Sequence, residues 1–232
     1  MERIELADVS HRYIDNRGEF FTALDHISMT WNMGESIAVT GESGSGKSTL
    51  ARLIIGLERP SSGQVLIDSE NTSKWNFRAW RKRRTELQAV FQDTGGTLSP
   101  GRSVLQNAEE ALCNLTSLAK QQRREKITML MGLMELSPKL FEVPVRCLSG
   151  GEQRRVGLLR SLAVQPRFLI LDEVTAGLDL ISAEAVLRVL ENYQSECACS
   201  YLVVTHDLSM ASRLCSKLYE IEHGHIIRQS VQ

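Results

Sequence analysis

Apolar positions recur along this chain in three rhythms, and each predicts a different kind of element. Up to about Trp31 they alternate, as at Ile27, Met29 and Trp31; that period suits half-buried antiparallel strands. Three unbroken apolar runs follow: Ile37-Ala38-Val39, Phe168-Leu169-Ile170-Leu171 and Tyr201-Leu202-Val203-Val204. Runs of this kind predict parallel strands buried on both faces. Between Gly101 and Pro144 the spacing turns helical. Val104, Leu105, Ala108, Ala111, Leu112 and Leu115 share one face, and Ile127, Leu130, Met131 and Met134 share another. The pattern predicts a helical block inserted between the first two core strands, with the methionines packing a core. No internal repeat or low-complexity linker interrupts it.

Each apolar run ends at a polar residue able to do chemistry: the Gly41 loop, Asp172-Glu173 and His206. Ligands of open α/β sheets bind beyond the carboxyl ends of the strands, so these endings define a candidate site. The first carries Gly41-Glu42-Ser43-Gly44-Ser45-Gly46-Lys47-Ser48-Thr49, which fits G-x-x-x-x-G-K-[ST] between a predicted strand and the helix Leu50 to Ile55. Glycines let backbone N–H groups close around phosphates, and the helix N-terminus adds a favourable dipole. Lys47 is expected at the β- and γ-phosphates and Ser48 at Mg²⁺. A functionless glycine turn would not need the flanking strand and helix. The second ending is a Walker B pattern, with Asp172 expected to hold Mg²⁺ through water and Glu173 to act as general base. Taken alone, it would read equally as a strand running into a surface loop.

Composition narrows the picture. The 232 residues carry a formal net charge of −1, so no global field recruits nucleic acid or an acidic membrane. No apolar stretch is long enough to span a bilayer, and Met1 to Leu6 has no signal-peptide character. The chain is therefore expected in the cytoplasm, with any membrane role supplied by a partner. The odd number of scattered cysteines, five, argues against a disulfide framework. Cys197-Ala198-Cys199 lacks zinc-ligand spacing. His223-Gly224-His225 reads better as a hairpin turn than as a nickel site, because metal sites need more ligands. Arg78 to Arg84 reads as a solvated basic helix face.

Leu148-Ser149-Gly150-Gly151-Glu152-Gln153-Arg154-Arg155 precedes an apolar-periodic segment, so it reads as a helix N-terminus with exposed N–H groups. With this motif added, the whole chain resembles an ABC-family nucleotide-binding domain. The resemblance implies an α/β fold: a P-loop NTPase with a RecA-like core, an antiparallel β subdomain and an inserted helical subdomain. The core is expected at 1–92 and 165–232, and the helical part at about 93–164. By resemblance, Tyr13 stacks on adenine, although a strand-end tyrosine could equally be packing. Gln92 in Val90-Phe91-Gln92-Asp93 touches Mg²⁺ and the attacking water, Asp179 is the D-loop aspartate, and His206 lies beside the γ-phosphate. Ser149, Gly150 and Gly151 face the ATP of a partner domain in a head-to-tail dimer that closes on ATP and opens after hydrolysis. Val174 stands where the family usually has proline, and Ala176-Gly177 replaces the commoner Ser-Ala. These are loop changes, and all the reactive groups are present.

Glu42-Ser43, and Val90 to Asp93 followed by Thr97-Leu98-Ser99-Pro100, resemble the oligopeptide, dipeptide and nickel importer branch. That branch implies ATP and Mg²⁺, pairing with a second, different ATPase chain, two membrane permease subunits and an extracytoplasmic binding protein, with no nucleic acid. The location implied is the cytoplasmic face of the membrane. A permease helix is expected to dock near exposed apolar positions around Leu98 and Val104. A soluble ABC ATPase of a cytoplasmic enzyme complex, like a phosphonate-degradation accessory protein, shares every one of these motifs.

Overall fold

A computed structural model describes residues 1–15, 18–92 and 97–231. The chain folds as two compact units: Met1–Arg83 with Ile170–Asp172 and Ser200–Gln232, and Arg84–Leu169 with Glu173–Cys199.

The first unit is built on two sheets. One has the order β2-β1-β4-β5, with β1 at Arg3–Ile14, β2 at Phe20–Asn32, β4 at Ser62–Ile67 and β5 at Glu70–Asn71. Its pairs are antiparallel, and β2 buries Ile27, Met29 and Trp31 on alternate positions, as the alternation in the sequence requires. Register shifts between Leu6 and Val9 and between Val9 and His11, with Asp8 at φ +54°, bulge β1 before it reaches Tyr13. The other sheet runs β10-β9-β3-β8-β7. Here β3 is Ile37–Thr40, β7 Phe168–Asp172, β8 Ser200–Val204, β9 Lys217–Glu222 and β10 His225–Val231. Strand β3 lies parallel to both β8 and β9, with Ile37 opposite Leu202 and Val39 opposite Val204. Every residue of β3, β7 and β8 is buried, which is why their sequences are unbroken apolar runs. Helix α1, Lys47–Ile54, buries Leu50, Leu53 and Ile54. Helix α2, Phe77–Arg83, has no fully buried residue; Arg78, Arg81 and Lys82 are exposed, while Arg83 pairs with Asp68 at 3.3 Å. Strands β9 and β10 form a hairpin that turns at His223-Gly224.

The second unit holds β6, Leu87–Val90, and the helices α3 Val104–Ala108, α4 Glu110–Leu115, α5 Lys120–Leu133, α6 Gly150–Leu162 and α7 Leu180–Cys197. It takes in residues 84–92 and 173–199 as well as the helical block. The core draws on Val104, Ala108 and Leu112, on Ile127, Met131 and Met134, and on Val156, Leu159 and Leu162.

One sequence expectation does not hold at the residues named for it. Leu98 and Val104, expected near an exposed docking surface, are buried, with 3% and 0% of their surface exposed. Ser103 caps α3 through a capping box, and Val104 follows as its first residue, pointing inward. The Val104 and Leu105 amides donate to the carbonyls of Val143 and Phe141, at 3.0 Å each, so the 141–143 segment covers the helix start. The motif residue Asp93 lies outside the described residues.

Candidate functional site

Three glycines of the Gly41–Thr49 loop have positive φ, and two of them admit no side chain for packing reasons as well. Gly41 has φ +144°, and a Cβ there would sit 2.1 Å from the Ile221 carbonyl oxygen. Gly46 has φ +107°, and a Cβ would sit 2.3 Å from the Ala23 carbonyl oxygen. The loop therefore follows a path that only glycine allows. It ends in α1, whose N-terminus no side chain caps, which leaves first-turn N–H groups available to an anion. Glu42, Ser43 and Gly44 are exposed. Lys47 is buried, and its Nζ donates to the carbonyls of Gly41, at 2.9 Å, and Glu42, at 2.6 Å. The ammonium thus lies across the mouth of the loop. Ser45 Oγ is buried with no hydrogen-bond partner. An orphaned hydroxyl, an uncapped helix end and a buried cation together fit a phosphate. The terminal hairpin supports the loop from behind: the Gly224 N–H donates to the Ser45 carbonyl at 3.1 Å, and the Asp25 N–H donates to the Gly224 carbonyl at 2.9 Å. His223-Gly224-His225 is the turn that makes this contact possible. Among the described residues, no group of three or more His, Cys, Asp or Glu side chains could hold a metal ion.

Ser48 Oγ donates to Asp172 Oδ1 at 3.2 Å. Asp172 is buried at the end of β7, and Ser48 stands on the first turn of α1. A hydroxyl and a carboxylate side by side form a hard oxygen pair that suits Mg²⁺, an ion that keeps several waters and takes few protein ligands. Tyr13, on β1, reaches the same helix. Its hydroxyl donates to Glu58 Oε2 at 2.5 Å and lies 3.2 Å from Thr49 Oγ1. His11 packs edge-on against the Tyr13 ring, 4.7 Å between centroids, with its Nε2 3.3 Å from Glu58. Burial, with Glu58 alongside, pushes the Tyr13 phenol above its usual range. His206 follows β8 and is exposed; the next residue, Asp207, caps helix α8, Leu208–Leu214.

In the second unit, Glu173 is half-buried, with φ +51°. A non-glycine residue in this region is strained by roughly 1–3 kcal/mol, a cost that recurs at functional sites. A turn follows, closed by the Ala176 N–H donating to the Glu173 carbonyl at 3.1 Å. Val174 is fully buried. Asp179 caps α7, accepting from the Ser182 N–H at 3.0 Å.

Gln92 is exposed, and its backbone carbonyl accepts from the buried Arg154 of α6. Ser149 caps α6 through a reciprocal box: the Ser149 N–H donates to Glu152 Oε2 at 2.8 Å, and the Glu152 N–H donates to Ser149 Oγ at 3.3 Å. The Ser149 N–H and hydroxyl, each donating to Glu152 Oε2 at 2.8 Å, hold the Glu152 carboxyl below its ordinary pKa. Gly150 is exposed. Gly151 is buried, and a Cβ there would come within 2.8 Å of Ser182 Oγ. Sequence reasoning assigned no role to Glu58 or Arg154. Their signal lies in contacts between distant segments, which no motif spacing reveals.

Residues 24–176 match the family described as ABC transporter. The chain is 36% identical to the nickel import ATP-binding protein NikE of Shigella dysenteriae serotype 1 (strain Sd197), over 98% of this chain and 86% of that protein. It is 34% identical to NikE of Escherichia coli (strain K12), over 100% of this chain and 88% of that protein. Among solved structures, the post-hydrolysis dimer of the ATP-binding cassette MJ0796 bound to ADP and Pi superposes with a TM-score of 0.89 at 28% identity, covering 98% of each chain. CbiO1 from Clostridium perfringens, part of the ABC transporter complex cbiONQ, superposes with a TM-score of 0.85 at 28% identity, covering 100% of this chain and 89% of that one. A glycine loop with a buried lysine that fits a phosphate, an oxygen pair at Ser48 and Asp172, and these likenesses lead to one conclusion: the chain belongs to the ABC transporter family, as one of its ATP-binding and ATP-hydrolysing subunits.

Proposed function

We propose that this subunit powers a bacterial importer for nickel, metal chelates or peptides from the cytoplasmic face of the membrane. The observation that carries this reading is the identity of 34–36% to nickel import ATP-binding proteins over essentially the whole chain. No helix among the described residues is long and apolar enough to cross a membrane, so the translocation path belongs to partners. Those partners are two permease subunits, a second ATPase chain paired head to tail as a heterodimer, and indirectly an extracytoplasmic binding protein.

In this reading Tyr13 stacks on the adenine. The backbone of Gly41, Glu42, Ser43, Gly44, Ser45 and Gly46, with Lys47 and Thr49, wraps the phosphates. Ser48, Asp172 and Gln92 would hold Mg²⁺, and the ion would supply positive charge against the phosphoryl group being transferred. Glu173 takes the proton from the attacking water, and His206 orients the γ-phosphate. Ser149, Gly150 and Gly151 meet the partner's ATP. Residues 93–164 act as the helical arm of a core formed by 1–92 and 165–232. ATP bound by both partners closes the pair, and hydrolysis removes the bridge.

The test is affinity purification of the tagged chain from its own cells, followed by uptake of radiolabelled nickel in a deletion strain. Co-purification of permease subunits with a second ATPase chain, and loss of uptake on deletion, is the expected result. Recovery in a soluble complex with metabolic enzymes, and unchanged uptake, would replace this reading with the soluble-complex alternative.

A further inference from the structure

Arg154 lies on α6, just beyond the capped Ser149 turn, and is buried to 7% exposure. Its guanidinium faces two separate loops of the second unit. Nη1 donates to the Gln92 carbonyl and lies 3.4 Å from the Phe91 carbonyl. Nη2 donates to the Ala176 carbonyl at 3.4 Å. A guanidinium is rigid and planar, so donors on its two arms hold the two loops at a set separation. The helix also touches the elements that flank the two loops, β6 before Gln92 and α7 after Ala176. Ser161 Oγ donates to the Ala89 carbonyl in β6 at 3.4 Å. Gly151 packs against Ser182, whose N–H is held by Asp179.

We propose that Arg154 is a positioning residue that joins the backbone at Gln92 to the Ala176 turn, so that the Gln92 and Asp179 segments shift as one piece when nucleotide binds. The inference rests on the ATPase reading above, which puts Gln92 at the nucleotide. The physical basis is the cost of separating the loops. If the Gln92 carbonyl moves by an ångström while Ala176 stays, one arm of a buried guanidinium loses its acceptor, and a buried cation without acceptors is costly. Moving both loops together keeps every bond. A lysine cannot replace this link, because a compact ammonium on a flexible stem does not span two acceptors in fixed geometry.

The test compares wild type, Arg154→Gln and Arg154→Lys with Leu159→Ala, a control in the same helix that opens a cavity at a fully buried position. Each variant is measured as the full chain for ATP affinity, kcat, melting temperature and hydrogen exchange of the 174–180 peptide with and without ATP. In wild type, ATP is expected to change exchange in that peptide. In both Arg154 variants this response should vanish and kcat should fall by roughly tenfold, the scale of a coupling mutation. ATP affinity should stay within about twofold, since no nucleotide-contacting group is removed. Leu159→Ala should lower the melting temperature but keep the ATP response. Arg154 variants that keep both kcat and the response, or a Leu159→Ala protein that loses the response equally, would overturn the inference. A wild-type chain that binds no ATP would instead sink the ATPase reading and this inference with it.

Discussion

Ser48 Oγ donates a 3.2 Å hydrogen bond to Asp172 Oδ1 across 124 positions of sequence. The contact joins the first turn of α1 to the end of β7 and sets side by side two oxygens of the kind a hard cation takes. Ser48→Ala should therefore cut ATP affinity measured with Mg²⁺ by roughly tenfold while leaving affinity measured in EDTA within about twofold. Isothermal titration with and without Mg²⁺ reads this directly. An equal loss under both conditions would mean that Ser48 binds phosphate or holds the fold.

A second prediction concerns the loop's glycines. A Cβ at Gly46 would meet the Ala23 carbonyl at 2.3 Å and the Leu24 side chain at 2.7 Å, at φ +107°. Gly46→Ala combines overpacking with backbone strain, together at least about 2 kcal/mol. The melting temperature should drop by roughly 4–8 °C. Gly44→Ala meets no atom within 4 Å and carries only the strain of φ +81°, so it should drop less. Equal effects of the two would show that the close approach at Ala23 is not what restricts Gly46.

Tyr13 yields a third. Its ring is the group proposed to meet the base, while its hydroxyl is held by Glu58 and lies beside Thr49. Tyr13→Phe keeps the ring and should weaken ATP binding by less than about fivefold. Tyr13→Ala removes the stacking surface and should weaken it by more than tenfold, about what one aromatic stack contributes. Glu58→Gln should behave like Tyr13→Phe. Tyr13→Ala with wild-type affinity would make the tyrosine a packing residue only.

The capping box at Ser149 yields a pH prediction. Bonds from the Ser149 N–H and hydroxyl hold Glu152 below its ordinary value of 4.5. A carboxyl whose folded pKa is depressed stabilises the fold above its unfolded pKa, and that contribution is lost as pH falls through the folded value. Glu152→Gln can still accept from the Ser149 N–H but carries no charge. It should be less stable than wild type near pH 6, and the gap should narrow as pH falls below 4.5. Urea melts across this range measure it. A gap that is constant with pH would remove the charge from the account of the cap.

Much of this arrangement was legible in the sequence because its chemistry is local. Strands β3, β7 and β8 are buried on both faces, so their apolar runs could be read without knowing their neighbours. The loop from Gly41 to Thr49 is set by glycine conformation and by the helix that follows, both written in consecutive residues. The burial of Val104 was missed because the cover over the start of α3 comes from residues 141–143, far along the chain. The support that Gly224 gives Ser45, and the reach of Arg154 to both Gln92 and Ala176, bridge segments far apart in sequence. No periodicity encodes such pairings.

The central claim is that this chain hydrolyses ATP with Glu173 as the base. Glu173 leaves the end of β7 in a strained left-handed conformation, while the binding groups Lys47 and Ser48 lie elsewhere in the chain. The most direct measurement is ATP affinity alongside turnover for Glu173→Gln. Affinity should stay within about threefold of wild type, because the P-loop is untouched. Turnover should fall at least about a hundredfold, as expected when a general base is removed, and light scattering should show an ATP-dependent dimer that persists. Turnover equal to wild type would contradict the assignment of Glu173 as the base.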